Sequence, residues 1–512
     1  MLQILQNLFS LDVAVSVFIG TAGGMVIGAL PGLSATMGIA LLIPVTYGMD
    51  PIAAISMLAA VYTSAVFGGS FSAILIHTPG TPASAATALD GYKLAQKGRG
   101  LEALGVSTVS SVIGGMISGF ALLLIAPQLV KVSLMFSSSE YFLIAIFGLT
   151  IIGSLTTGSM LKGLMAGALG LMVGLVGMNN VPHARYCFGN INLMGGISVV
   201  PAMIGLFSIP QVMELAEGRK KYSAQAAQEE RERSREAVAQ ARAMMKGRFL
   251  PTKENWFRIL PTIVRSTILG IFVGILPGAG GDIGSWVGYN EAKRRSKHPE
   301  QFGQGSIEGI AASEAANNAV CGGALIPMLT LGIPGSAAAA VLQGGLIVQG
   351  LNPGYELFTK YADMTYTILI AFILANVLMG ILGMFSAKYA VRLSQISKGI
   401  LMPAIVVLSV IGSYSINRNM FDVYVMLVFG IVGYMMRKFR VPGAPIVLAI
   451  ILGPMAERSL IQSVAMARGN VLGYYFSRPI SVVLMLIIVA SLFAPVISNV
   501  VDRFVKKKYA AE

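Results

Sequence analysis

The chain has 512 residues, of which 55% are hydrophobic and 12% are charged. Soluble domains carry about 25% charged residues, so this composition excludes an ordinary soluble protein and indicates an all-α polytopic membrane protein. The net charge of +14 does not indicate nucleic-acid binding, because the basic residues cluster in short segments between apolar blocks, as in cytoplasmic loops of membrane proteins. Cys187 and Cys321, the only cysteines, provide neither a disulfide framework nor a Cys-rich metal site.

Glycines recur every four residues in two stretches of the chain. The first stripe ends at Leu30-Pro31-Gly32 and the second at Leu276-Pro277-Gly278. A glycine face lets the backbone of a neighbouring helix approach closely. The repetition at an offset of about 246 residues predicts an internal repeat.

Each stripe is followed by an apolar segment that contains a Pro-Gly break. The breaks lie at Pro79-Gly80-Thr81 and at Pro334-Gly335-Ser336. Taken alone, either break favours a kinked packing helix, because such kinks are common in membrane helices. Two breaks at corresponding positions favour helical hairpins that unwind and restart inside the membrane, which is typical of binding sites in transporters. We align these segments by pairing Gly68-Gly69 with Gly322-Gly323, and Thr63-Ser64 with Asn317-Asn318.

Equivalent loops of the two halves carry opposite charge biases. Residues 93–99 are basic, whereas their counterpart, residues 344–355, has no basic residue. Residues 47–51 lack basic residues, whereas their counterpart, residues 290–298, is rich in them. Because basic loops stay in the cytoplasm, the two repeats are predicted to have inverted topologies.

The predicted organisation has two repeats and two further segments. At about 20 apolar residues per span, the apolar blocks accommodate about 11 to 13 transmembrane or re-entrant segments. The segments are a first repeat at residues 1–216, a basic cytoplasmic linker at 217–258, a second inverted repeat at 259–478, and an extra transmembrane helix with a basic tail at 479–512. The linker is interpreted as a solvated tether without chemistry, and the basic tail places the C-terminus in the cytoplasm.

The two breaks are candidates for anion binding. A helix that restarts inside the membrane presents free backbone amides and hydroxyls, which attract carboxylates without a buried arginine. The candidate substrate-binding residues are Thr78, Pro79, Gly80, Thr81, Ser84, Gly332, Pro334, Gly335 and Ser336.

The same regions offer oxygen ligands for a cation. Carbonyls freed by the breaks, together with nearby hydroxyl and amide side chains, can surround a sodium ion. The candidate cation-binding residues are Thr63, Ser64, Asn317, Asn318, Gly32 and Gly278.

Three titratable residues are candidate proton carriers, namely Glu314, Asp282 and His77. A carboxylate inside a spanning segment is a functional hypothesis by default, and Glu314 can carry a proton, bind a cation or pair with a base. Alternatively, Glu314 and Glu308 are both solvated at the cytoplasmic entrance of the hairpin. Asp282 has the same ambiguity, and His77 can titrate or serve as a hydrogen-bonded structural residue.

Other function classes find little support. The sequence has no phosphate-binding loop, and none of its histidines has the spacing of a zinc hydrolase. Gly280-Gly281-Asp282 resembles part of the motif of intramembrane aspartyl proteases, but Ala279 stands where that motif requires glycine. We predict no catalytic residue, no resident metal and no cofactor beyond a coupling sodium ion or proton. An intramembrane enzyme, such as a protease, or an assembly scaffold is the alternative to a transporter.

Ordered motifs from about Phe18 to Gly443 resemble the large membrane subunit of the tripartite tricarboxylate transporters. The motifs are Gly28-Ala-Leu-Pro-Gly-Leu33, His77-Thr-Pro-Gly-Thr-Pro-Ala-Ser84, Asp90-Gly91-Tyr92, Gly274-Ile-Leu-Pro-Gly-Ala-Gly280, Glu314-Ala-Ala-Asn-Asn-Ala319 and Leu331-Gly-Ile-Pro-Gly-Ser336.

The resemblance implies a secondary transporter of the bacterial inner membrane. Its expected partners are a small membrane subunit with four spans and a periplasmic solute-binding protein that delivers the substrate. Expected substrates are citrate-like tricarboxylates or other small carboxylates, taken up by symport with a cation, generally sodium. By analogy with related three-component systems, the inverted repeats are expected to work as an elevator.

Overall fold

The computed structural model describes residues 2–155, 160–178, 183–219, 239, 243–245, 248–387 and 398–490. Their regular structure is helical, and an isolated bridge joins Gly177 and Arg185. Most of the predicted linker at 217–258 and the end of the predicted C-terminal segment lie outside the described residues.

Eight of the described helices are long and apolar enough to cross a membrane. This confirms an all-α polytopic membrane protein. The eight are Leu11–Ala29, Pro51–Ile76, Pro82–Ser133, Val199–Glu217, Lys253–Ile275, Ala362–Ser386, Met420–Lys438 and Ala444–Met466.

Further helices lie before, between and after these spans. Within Pro82–Ser133, a π-helical turn at Ala95–Arg99 separates Ala85–Leu94 from Gly100–Ser133. The others are Leu2–Leu8, Ala35–Leu42, Ser138–Leu155, Met160–Gly174, Gly280–Arg295, Ile307–Leu331, Ala337–Val348, Tyr355–Phe358, Lys398–Asn417, Val471–Phe476 and Pro479–Ala490.

The chain forms two compact units, each drawn from both halves of the sequence. The first unit comprises Met1–Val130 and Val200–Met435, and the second comprises Lys131–Val199 and Met436–Glu512. These units do not coincide with the predicted repeats, because a repeat is a sequence correspondence and a compact unit is defined by packing. The repeat boundaries stay a prediction.

The second unit holds the described part of the predicted extra C-terminal helix, Pro479–Ala490. The buried carboxylate of Glu140 accepts hydrogen bonds from Arg478 Nε at 2.7 Å and Ser481 Oγ at 2.6 Å. This ion pair fixes the start of that helix to helix Ser138–Leu155.

The first unit contains both Pro-Gly breaks, and each break joins two helices into a hairpin. Hairpin 1 consists of Pro51–Ile76, a break at residues 77–84, and Ala85–Leu94. Hairpin 2 consists of Ile307–Leu331, a break at residues 332–336, and Ala337–Val348. The predicted hairpins are therefore present as helix, break and helix.

The predicted close backbone approach at the glycine stripes is made by the long helix of each hairpin. A Cβ atom added to Gly28 would lie 2.0 Å from the carbonyl oxygen of Ala65 in hairpin 1. A Cβ atom added to Gly274 would lie 2.6 Å from the carbonyl oxygen of Val320 in hairpin 2. Only glycine permits backbones to approach this closely.

These contacts show that the alignment of the two long helices proposed from the sequence was wrong by one residue. Gly68 packs on the backbone of Met25, and Gly323 packs in the same way on Ile271, the equivalent of Met25 in the second stripe. Gly68 therefore corresponds to Gly323. Gly322 faces Ser118 instead. Adjacent glycines in both helices made the two registers equally plausible in the sequence.

The corrected register changes which polar residues are equivalent. Thr63 corresponds to Asn318, and Tyr62 corresponds to Asn317. Ser64 corresponds to Ala319, and each of these two packs on a stripe glycine.

Each hairpin is also held by the opposite half of the chain. The last residues of the hairpin 1 break, Pro82–Ser84, pack on helix Gly280–Arg295. The second arm of hairpin 2, Ala337–Val348, packs on the equivalent helix of the first half, Ala35–Leu42. This reciprocal exchange brings residues of both halves into one site.

Candidate functional site

Both breaks begin with a residue in the left-handed conformation. His77 has φ 55° and Gly332, at the equivalent position, has φ 73°. Each residue ends its helix with a backbone hydrogen bond to the last turn. The chain then leaves the helix at Pro79 and at Pro334, which have no N–H group with which to continue it.

The two glycines of the breaks serve packing. The Gly80 N–H donates to the Gly69 carbonyl at 3.2 Å, and the Gly335 N–H donates to the Ala324 carbonyl at 3.4 Å. Added Cβ atoms would lie 2.1 Å and 2.0 Å from the carbonyl oxygens of stripe glycines. These two amides, expected to be free for an anion, are occupied inside their own hairpins in this structure.

The remaining substrate candidates differ in what their side chains contact. Thr81 Oγ1 is buried and has no hydrogen-bond partner among the described residues, whereas Ser84 Oγ donates to the Thr81 carbonyl at 2.8 Å. Ser336 Oγ caps the second arm of hairpin 2 by accepting the Ala339 N–H at 3.1 Å. Thr78 is exposed. Thr81 is therefore the predicted residue whose hydroxyl is free for a ligand.

Tyr62 joins the two hairpins and was not predicted. Its hydroxyl lies 2.7 Å from Ser336 Oγ, at the start of the second arm of hairpin 2. The equivalent residue of hairpin 2, Asn317, reaches the break of hairpin 1, where Nδ2 donates to the Ala83 carbonyl at 3.3 Å. Each long helix thus contacts the break of the other hairpin.

A buried polar group, which we call the axial cluster, consists of Thr63, Asn318 and Asn376. Asn318 Nδ2 donates to Thr63 Oγ1 at 3.1 Å, and Thr63 Oγ1 donates to Asn376 Oδ1 at 2.7 Å. All three side chains are fully buried, and Asn318 Oδ1 has no partner among the described residues. The structure thus brings two of the predicted cation ligands together.

Asn376 was missed because its repeat partner carries no side chain. Gly119 packs on Ile373, and Gly380 packs reciprocally on Val112, so helices Gly100–Ser133 and Ala362–Ser386 are also equivalent. The counterpart of Asn376 in this register is Gly115, which packs directly on Asn376 Oδ1. A single asparagine in an otherwise apolar span was the available signal.

The other predicted cation ligands lie apart from the axial cluster. Ser64 Oγ donates to the Ala60 carbonyl at 2.5 Å and faces the stripe at Gly24. Gly32 and Gly278 form the turns that follow the stripes, with φ values of 93° and 80°.

Glu314 lies at the centre of a second buried group. Its Oε1 accepts from Thr87 Oγ1 at 2.5 Å and from Asn317 Nδ2 at 3.3 Å, and its Oε2 accepts from Ser111 Oγ at 2.9 Å. Its side chain is fully buried, so the alternative that it is solvated is wrong. Glu308 is buried too, and it pairs with Arg258 at 2.7 Å.

The other two proton-carrier candidates are less enclosed. Asp282 is partly exposed in the first turn of helix Gly280–Arg295, where a carboxylate complements the helix dipole. His77 is exposed, and its ring lies 4.7 Å from that of Tyr92. Among the described residues, no group of three or more His, Cys, Asp or Glu side chains could hold a metal ion.

Asp90 fastens the second arm of hairpin 1 to the loop that precedes hairpin 2. Its Oδ1 accepts the N–H groups of Gly303, Gly305 and Ser306, each at 2.8 Å. Its Oδ2 accepts the hydroxyl of Tyr289 at 2.9 Å. These bonds satisfy a buried carboxylate that has no ion pair with a basic side chain among the described residues, so Asp90 is a structural link between the hairpins.

The fold and the site together define a polytopic helical membrane protein whose two repeats each contribute a broken hairpin to one buried polar region. Residues 15–448 match the model of the Tripartite tricarboxylate transporter TctA family, which covers most of the chain. The chain belongs to this family.

Two relatives from Agrobacterium vitis are similar to the chain. An uncharacterized 52.8 kDa protein in the TAR-I ttuC' 3'region is 36% identical over 469 residues, which cover 91% of this chain and 90% of that protein. An uncharacterized protein in the TAR-II ttuC' 3'region is 39% identical over 201 residues, which cover 39% of this chain and 83% of that protein. No solved structure matches the chain.

Proposed function

We propose that this chain is the large transmembrane subunit of a secondary transporter that imports tricarboxylates or other small carboxylates together with a cation, with sodium as the leading candidate. Membership of a transporter family and the multi-pass helical fold support this proposal. The partners are a small membrane subunit with four spans and a periplasmic solute-binding protein. The protein resides in the bacterial inner membrane, with the linker and the C-terminus in the cytoplasm.

The observation that carries the proposal is the meeting of the two hairpins. Tyr62 of hairpin 1 contacts the break of hairpin 2, and Asn317 of hairpin 2 contacts the break of hairpin 1. Broken helices that meet in this way place helix termini and polar side chains inside an apolar protein, as in transporter binding sites. A movement of either hairpin therefore changes the ligand environment at both breaks.

The substrate carboxylate is assigned to the breaks. Thr81 supplies a buried hydroxyl without a partner, and Ser336 supplies a hydroxyl at a helix start. Neutral donors of this kind bind a carboxylate without a buried lysine or arginine, whose desolvation is unfavourable inside a membrane. Such donors recognise carboxylates as a class, so the binding protein is expected to select the particular acid.

The coupling cation is assigned to the buried oxygens between the hairpins. The axial cluster supplies Thr63 Oγ1, Asn318 Oδ1 and Asn376 Oδ1. Hard cations prefer oxygen ligands, and unwound helices in transporters supply them near the substrate. Binding of both ligands at one pair of hairpins couples substrate to cation, and the hairpins then carry the site across the membrane as an elevator.

The test is uptake of labelled citrate and other small carboxylates into proteoliposomes that contain the chain and both partners. An inward sodium gradient is compared with an inward proton gradient, and vesicles without the binding protein are the control. Accumulation driven by sodium supports the proposal in full. Accumulation driven only by protons moves the coupling role to Glu314, Asp282 or His77. No accumulation of any carboxylate under either gradient would contradict the proposed function.

A further inference from the structure

Among the described residues, only neutral groups donate hydrogen bonds to Glu314. Its carboxylate accepts from two hydroxyl groups, those of Thr87 and Ser111, and from the amide of Asn317. Among the described residues, no basic side chain forms an ion pair with it. Glu308, two turns earlier on the same helix, has Arg258 as its partner.

A carboxylate in this position requires a positive charge. Burial of an isolated carboxylate is strongly unfavourable, and hydroxyl and amide donors compensate only part of the lost hydration. The group is therefore stable inside the protein when it binds a proton or a small cation. This need distinguishes Glu314 from Asp90, whose carboxylate is fixed by three backbone amides.

We propose that Glu314, Thr87, Asn317 and the carbonyl of Ala83 form a monovalent-cation site between the two hairpins, separate from the axial cluster. Glu314 and Asn317 belong to hairpin 2, whereas Ala83 and Thr87 belong to hairpin 1. A cation held by these groups joins the hairpins. When the cation leaves, the Glu314 carboxylate is buried without a compensating charge, so either the hairpins separate and hydrate it or it takes up a proton. The inference rests on the proposed function, since it adds a second site for a coupling cation to the same transport cycle.

The Asn317 amide explains how the site accepts the ion. Its Nδ2 lies 3.3 Å from both the Ala83 carbonyl oxygen and Glu314 Oε1, and its Oδ1 is buried without a partner among the described residues. Rotation of the amide by half a turn exchanges these two atoms. Oδ1 then faces the same two oxygens, and Thr87 Oγ1, at 2.5 Å from Glu314 Oε1, adds a further oxygen. Oxygen atoms from three segments then converge on one point, as a hard cation requires.

Of the neighbouring titratable groups, Asp282 on helix Gly280–Arg295 is partly exposed, and the others have partners of their own. On the second arm of hairpin 1, the Asp90 carboxylate bonds to the Tyr289 hydroxyl. On helix Gly100–Ser133, Glu102 pairs with Arg99, and on helix Lys253–Ile275, Arg258 pairs with Glu308. On the long helix of hairpin 1, the Tyr62 hydroxyl bonds to Ser336. Competition between protons and sodium at this site is therefore assigned to the Glu314 carboxylate.

The experiment measures the thermal unfolding of the purified full chain in detergent, with no substrate present. Sodium chloride is titrated at several pH values, and choline chloride maintains the ionic strength. A cation that binds the folded protein raises the melting temperature with increasing concentration. The variant is Glu314→Gln, which keeps the shape and the acceptor oxygen but removes the charge. The matched control is Glu308→Gln, which alters a buried carboxylate that already has a basic partner.

In the wild type, sodium is expected to raise the melting temperature, with a midpoint concentration that increases as the pH falls. In Glu314→Gln, the midpoint should increase at least about tenfold, because a charge-assisted contact is lost. Glu308→Gln should lower the melting temperature and keep the sodium response. A wild type that is insensitive to sodium but more stable at acidic pH, with this pH effect absent in Glu314→Gln, identifies the bound cation as a proton.

Two results would overturn the inference. One is an identical response of wild type and Glu314→Gln to sodium and pH, and the other is a wild type that responds to neither. Both results leave the uptake measurement in proteoliposomes unaffected, so the proposed function is judged separately. If Glu314→Gln does not fold, Thr87→Val removes a single ligand and should weaken the sodium response in the same direction.

Discussion

Asn318 Nδ2 lies 3.1 Å from Oγ1 of Thr63, and the two residues occupy equivalent positions in the two halves of the chain. Residues related by a two-fold axis contact each other only where they lie at that axis. This hydrogen bond therefore marks a pseudo-symmetry axis in the first unit, and the contact of Gly115 with Asn376 marks a second point near it. Because Thr63 belongs to hairpin 1 and Asn318 to hairpin 2, a movement of either hairpin changes the contacts within the axial cluster.

The axial cluster predicts a difference between two adjacent hydroxyl residues. Thr63→Val removes a hydroxyl that links Asn318 to Asn376. Ser64→Ala removes a hydroxyl that bonds chiefly to its own helix, with a longer contact of 3.4 Å to the Gly20 carbonyl oxygen. In Thr63→Val, the sodium concentration for half-maximal uptake should increase by about tenfold, the effect of one or two lost buried hydrogen bonds. Ser64→Ala should change it less than about threefold. If both substitutions change the half-maximal sodium concentration equally, the axial cluster does not bind the cation.

The packing of the glycine stripes predicts that substitutions at nearby glycines differ in their effect on stability. A Cβ atom at Gly28 would lie 2.0 Å from the Ala65 carbonyl oxygen, whereas a Cβ atom at Gly23 meets nothing within 4 Å. Gly28→Ala should destabilise the protein by roughly 2 kcal/mol, because two helix backbones must separate. Gly23→Ala should be neutral or slightly stabilising, since alanine favours the helix. Melting temperatures in detergent give the comparison, and a stable Gly28→Ala would contradict the packing.

His77 and Gly332 both have a left-handed backbone conformation, and substitutions at these two positions are predicted to have opposite effects on stability. His77→Gly should stabilise the first break by about 1 kcal/mol, because a side chain with a Cβ atom is strained in this conformation. Gly332→Ala should destabilise the second break by a similar amount. Its added Cβ atom would make only ordinary contacts at 3.6 Å or more, so the change reports backbone strain. The prediction fails if unfolding experiments show both substitutions shifting stability in the same direction.

Removal of the Asp90 carboxylate is expected to destabilise the protein strongly. Asp90→Ala leaves the N–H groups of Gly303, Gly305 and Ser306 without their acceptor. Asp90 and Ser306 are buried, and the two glycines are half-buried. The expected destabilisation is roughly 3 kcal/mol or more. Asp363→Asn, at an exposed first turn, is the control and should change the melting temperature little. A small effect of Asp90→Ala would show that the loop before hairpin 2 is held by other contacts.

The sequence alone determined the class of protein, the internal repeat and the two Pro-Gly breaks. These features depend on local properties, because apolar length selects a membrane span and Pro-Gly interrupts a helix wherever the surrounding chain lies. It also indicated close packing at the glycine stripes. The unequal distribution of basic residues between equivalent loops predicts inverted repeats, and the orientation of the axis in the membrane stays a prediction.

Only the tertiary structure decided which polar residues meet. It corrected the register of the long helices by one residue, separated Ser64 from Thr63, and added Tyr62 and Asn376. It also showed that Glu314 is fully buried, where the sequence left solvation open. The physical reason is that a helix in an apolar protein can direct any of its faces towards a partner. The face is chosen by backbone contacts such as that between Gly28 and Ala65, which depend on packing and are not visible in hydropathy.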